Sequence, residues 1–74
     1  MSPAVPHGLS GAEVAKALMR AGFEHVSTRG SHAKYRQDNR TVIVPLHHDL
    51  AAGTLRSILR QAGWSAEILE QFLK

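Results

Sequence analysis

Gly30-Ser31-His32-Ala33-Lys34-Tyr35-Arg36 sets an imidazole, an ammonium and a guanidinium at alternate positions. In an extended chain that spacing puts all three side chains on one face. Arg29 adds a fourth polar group at the start of the run. A neutral imidazole at neutral pH can accept a proton. Cations beside it can hold a phosphate and stabilise charge developing on its oxygens. RNA suits such an arrangement, because its 2′-hydroxyl can attack the adjacent phosphate once a base removes the proton. DNA lacks that hydroxyl and should resist. The chemistry needs no metal, thiol or cofactor.

Other residues compete for attention. His47-His48-Asp49 has the composition of a metal site, but adjacent histidines do not easily ligate one ion and no further cluster supports them. His47 is better read as an edge residue of the His32 face, able to orient RNA or to act as an acid. Arg56 and Arg60 lie one turn apart if their segment is helical, and could track phosphates or pair with an acidic protein. Ile43 falls among the cations as a candidate apolar contact for a partner protein or a base. Trp64 follows a glycine and reads as a core plug.

The whole chain sets limits on these readings. Its 74 residues make one domain, too small for a deep cavity, so a shallow surface site and a large ligand are expected. There is no cysteine, which excludes a disulfide framework and a thiolate metal site. The net charge is +3. The excess is concentrated centrally, in Arg29, Lys34, Arg36, Arg40, Arg56 and Arg60 against Asp38 and Asp49. Such a cluster suits a polyanion. No apolar run approaches the roughly 18 residues of a membrane span and no signal peptide is visible, so a cytoplasmic protein is expected. Residues 1–8 read as a flexible arm and 9–74 as the domain.

The elements that must position the candidates follow from local signals. Ser10 to Glu13 forms a capping box, with Leu9 and Val14 as its staple. Val14, Ala17, Leu18 and Ala21 continue at helical spacing until Gly22 stops the helix. A second helix is expected over about Ala52 to Ala62, with Leu55, Ile58, Leu59 and Ala62 inward and Gly63 as its stop. Ser65 caps a short third helix. Between the first two helices lie three strands, about Glu24–Arg29, His32–Gln37 and Arg40–Leu46. Gly30-Ser31 and Asp38-Asn39 are their two-residue turns. This predicts an α+β domain with helices on one face of a three-stranded antiparallel sheet. Counted from the turns, Val26, Thr28, Ala33, Tyr35, Val42, Val44 and Leu46 face the helices. His25, Ser27, Arg29, His32, Lys34, Arg36, Thr41 and Ile43 occupy the open face.

Gly22-Phe23, then "GSHAKYR", "VIVPLHHD" and "AAGTLRSILRQAGW" in that order resemble the HicA toxins of bacterial HicAB toxin–antitoxin systems. The likeness runs from Leu9 to Ser65. It implies a double-stranded-RNA-binding-domain-like fold of order α-β-β-β-α, an mRNA interferase (a metal-independent endoribonuclease without cofactor) and neutralisation by a HicB antitoxin. The family's catalytic histidine falls on His32, its glycine and serine on Gly30 and Ser31, and its PxH on Pro45, Leu46 and His47. RNA contacts are then expected from Arg29, Lys34, Arg36 and His47 with Gly30 and Ser31. Arg56, Arg60 and Ile43 are candidate antitoxin or phosphate contacts. The chain departs from the pattern at His48-Asp49, where relatives often have glycine and a polar residue. The helix after Ser65 also extends beyond it.

Overall fold

The structure is a computed structural model that describes residues 8–74. The arm expected over 1–8 lies, apart from Gly8, outside the described residues. Helix α1 spans Gly11–Arg20 and opens on the capping box: Glu13 N–H donates to Ser10 Oγ at 3.1 Å, and Ser10 N–H donates to Glu13 Oε1 at 3.0 Å. Strands β1 (Glu24–Arg29), β2 (His32–Gln37) and β3 (Arg40–Pro45) form an antiparallel sheet in that order. Helix α2 (Ala52–Ala62) and helix α3 (Ala66–Leu73) complete the chain. The expected α-β-β-β-α order with a short last helix is what the molecule adopts.

Both long helices end by the same device. Phe23 N–H reaches back to Leu18 C=O at 2.9 Å and Trp64 N–H to Leu59 C=O at 2.9 Å, each across a glycine of positive φ. These bonds satisfy carbonyls that a helix end leaves orphaned. The reversal also throws an aromatic ring back onto the core. Phe23 and Trp64 meet edge to face, and Trp64 stacks on Phe72 of α3. Trp64 is thus the core plug expected. Helix α3 packs on α1 with Leu69 fully buried. Arg20 closes that pair by donating to the carbonyls of Phe72 and Lys74, where a cation meets the negative end of the helix dipole.

The sheet buries Ala33, Tyr35, Val42 and Val44 against Val14, Ala17, Leu18, Leu55, Ile58 and Leu59. The registers across both turns follow the expected pairing near the turns: Arg29 opposite His32, Lys34 opposite Ile43, and His32 opposite Pro45. Two expectations fail. A β-bulge lies between His25 and Ser27, so His25 faces Tyr35 and Glu24 faces Arg36. Val26 is the extra residue and is 49% exposed. An inserted residue reverses every side chain before it. His25 therefore leaves the open face, and its ring lies 5.3 Å from Tyr35 with Nε2 2.6 Å from Thr28 Oγ1. Strand β1, at the edge of the sheet, is exposed along its length.

The second failure is at the end of β3, which stops at Pro45 and leaves Leu46 40% exposed. The first turn of α1 packs directly on the backbone of Pro45 and Leu46. A Cβ on Gly11 would overlap the Pro45 carbonyl and stand 2.8 Å from Leu46 Cα. Only glycine allows that approach. Gly11 N–H then donates to His47 C=O at 2.8 Å, and Leu50 N–H to Leu9 C=O at 2.8 Å. Helix α1 therefore anchors the segment that carries His47.

Candidate active site

Two-residue periodicity and the Gly30-Ser31 turn bring the first residues of the site together. Gly30 takes φ 56° at the turn, a conformation that favours glycine. His32 emerges beside it at the start of β2, exposed, with Arg29 opposite on β1. Lys34 follows two residues later on the same face, between Ser27 and Ile43. These five residues, Ser27, Arg29, His32, Lys34 and Ile43, line an open depression of about 370 Å³. Two cations and an imidazole thus share one shallow basin whose floor is partly apolar.

His47 lies two residues past Pro45, the partner of His32 on β3, where Leu46 N–H donates to Ser31 C=O at 2.6 Å. Its ring lies 6.3 Å from that of His32, centroid to centroid, at an interplanar angle of 71°. Ser31 Oγ is 3.4 Å from His47 Nε2, a long hydrogen bond that ties the turn to the ring. Of the two adjacent histidines after Pro45, His47 is therefore the one beside His32. Ser31 Oγ can accept from that nitrogen or donate to it, according to the tautomer. Among the described residues, no three acidic or histidine side chains lie close enough to hold a metal ion.

The remaining candidates lie elsewhere. Arg36 is at the far end of β2, opposite Glu24, and lines a separate depression with Glu24, Val26 and Asp38. The bulge in β1 sets Glu24 against it, so positive charge on the open face is concentrated at the Arg29–Lys34 end. Arg56 and Arg60 are exposed on α2, away from the basin. Ile43 belongs to both regions. It lines the His32 basin and also a second groove of about 380 Å³ between β3 and α2, with Pro45, Gly53, Thr54, Ser57, Ile58 and Gln61. The polar lining of that groove was not anticipated. Thr54, Ser57 and Gln61 recur at helical spacing, a signal ordinarily read as a solvated helix face.

The chemistry this can support is limited and specific. Two imidazoles, a hydroxyl, a guanidinium and an ammonium face solvent around one basin, with room for an extended anionic chain. The family model described as "HicA toxin of bacterial toxin-antitoxin" matches residues 11–64. No curated protein matches the chain. The family match begins at the first residue of α1, takes in the whole sheet and the His32–His47 basin, and ends on Trp64 just past α2; the chain belongs to the HicA toxins of bacterial toxin–antitoxin systems.

Proposed function

We propose that this toxin is a metal-independent endoribonuclease that cleaves mRNA, with His32 as general base. The observation that carries the reading is the pairing of the His32 and His47 rings at 6.3 Å beside Arg29 and Lys34. His32, as neutral imidazole, takes the proton from a ribose 2′-hydroxyl. The 2′-oxygen forms a bond to the adjacent phosphorus, and the bond from phosphorus to the 5′-oxygen breaks. His47, as imidazolium, gives its proton to that departing oxygen. The products are a 2′,3′-cyclic phosphate and a 5′-hydroxyl. Arg29 and Lys34 stabilise the added charge on the non-bridging oxygens. Ser31 holds His47, and Gly30 gives the turn its shape. Arg36 contacts the RNA farther along the strand.

The antitoxin of the pair is of the HicB type on this reading, and the cytoplasm is where mRNA would be met. Arg56 and Arg60 offer that partner two exposed guanidiniums.

His32→Ala tests the assignment. The variant should keep its fold and its RNA affinity, lose about 10²–10⁴-fold in cleavage rate, and no longer arrest growth when expressed alone. Cleavage equal to the parent's would refute it. RNA binding that falls steeply with salt, without cleavage by the parent, would instead identify a non-catalytic RNA-binding module. The acid role has its own test. RNA with a 5′-thio leaving group departs without protonation. It should restore cleavage to His47→Ala and not to His32→Ala.

A further inference from the structure

We propose that the groove between β3 and α2 is a nucleobase subsite, which receives the base next to the phosphate held in the His32 basin. The inference rests on the ribonuclease reading and names how that site would choose where to cut. The two depressions share Ile43 as a common wall. On the open face, Ile43 neighbours Lys34 and Pro45 neighbours His32. Adjacent strands are about 5 Å apart, so a chain held by its phosphate over β2 has its next nucleoside over β3 and its base against α2.

The lining suits a base better than another phosphate. Ile43, Pro45 and Ile58 give apolar walls for a planar ring. Thr54, Ser57 and Gln61 place two hydroxyls and an amide at its edge. Gln61 is held in position from both sides: its Oε1 accepts from Ile43 N–H at 2.8 Å, and its Nε2 donates to Ser57 Oγ at 3.4 Å. The second Nε2 hydrogen and the hydroxyl groups remain for a ligand. A volume of about 380 Å³ lies within the range of small-ligand sites.

Gly53 supplies an independent sign. It lies in α2 without a positive φ, and a Cβ there would meet nothing within 4 Å. The fold therefore has no need of glycine at this position, and the helix loses stability by it. What glycine does achieve is to keep the groove open for a close approach.

Filling the groove tests the proposal. Gly53→Phe and, separately, Ser57→Phe would be made in the full-length His32→Ala chain, with folding checked by circular dichroism. Each would be titrated with a single-stranded RNA octamer and with the same ribose-phosphate chain lacking bases. The unfilled protein should prefer the RNA by on the order of tenfold, the low end of what one well-placed base edge contributes. Both filled variants should lose that preference while binding the abasic chain unchanged. In the active protein, Gly53→Phe should flatten the distribution of cleavage sites. An unchanged preference in both filled variants would overturn the subsite, as would filled variants that weaken only the antitoxin complex. Neither result bears on His32, whose role is read from cleavage rates alone.

Discussion

Gly11→Ala joins the fold to the site, because one methyl group would act on both. The new Cβ would overlap the Pro45 carbonyl, and both partners are backbone, so neither can swing aside. The start of α1 and the end of β3 must separate. Overpacking of this kind costs about 1–3 kcal/mol. The bond from Gly11 N–H to His47 C=O, 2.8 Å in the parent, would stretch or break at about 0.5–1.5 kcal/mol. The gain from alanine in a helix is at most about 1 kcal/mol and smaller in the first turn. The net loss is about 2–3 kcal/mol. A domain of this size holds roughly 4–11 kcal/mol in total, so the melting temperature should fall by about 10–20 °C. Urea unfolding followed by Trp64 fluorescence would measure it. Cleavage should also fall below the parent's at a temperature where the variant is still folded, although His47 itself is untouched. Gly53→Ala is the control: the same methyl, also in a first helical turn but in open space, should stabilise by less than about 1 kcal/mol. A Gly11→Ala protein as stable as the parent would refute the close-approach argument.

Other outcomes are expected from single features. Asp38 is the only non-glycine residue described with positive φ, at 54°, so Asp38→Gly should raise stability by up to about 1 kcal/mol in urea unfolding. Leu69 is fully buried between α3 and α1, beyond the family match, and Leu69→Ala should cost about 2–5 kcal/mol in the same assay. Burial pushes the Tyr35 phenol above its usual value. Its contribution to stability is therefore complete below pH about 10 and lost as pH rises through the higher folded-state value. Tyr35 is the only tyrosine, so phenolate absorbance reports it directly. In the folded chain the signal should appear at higher pH than in urea.

The helices were legible because their signals are local. Ser10 with Glu13 starts α1, Gly22 and Gly63 end α1 and α2, and each acts within one turn of chain. Near a turn the strand register was equally legible, since two central residues set the pairing that puts Arg29 and Lys34 around His32. Legibility ended at Val26. A bulge changes no residue type and leaves no local mark, so counting by twos carries the wrong face to His25. The second turn has the two residues expected between Gln37 and Arg40, with positive φ at Asp38 and not at Asn39.

Alternation along β2 and the Gly30-Ser31 turn were enough to set His32, Lys34 and Arg29 on one face, because side-chain direction in a strand depends only on position from the turn. What only the tertiary structure decided is the company they keep. His47 itself follows from the register that pairs His32 with Pro45, continued by Leu46 N–H donating to Ser31 C=O at 2.6 Å; what packing adds is α1, whose Gly11, some twenty residues before His32 in the chain, donates its N–H to His47 C=O. The groove beside Ile43 exists because α2 lies along β3, with Gln61 bridging the two. Contacts between distant segments depend on how whole elements pack, and no spacing within a single element encodes that.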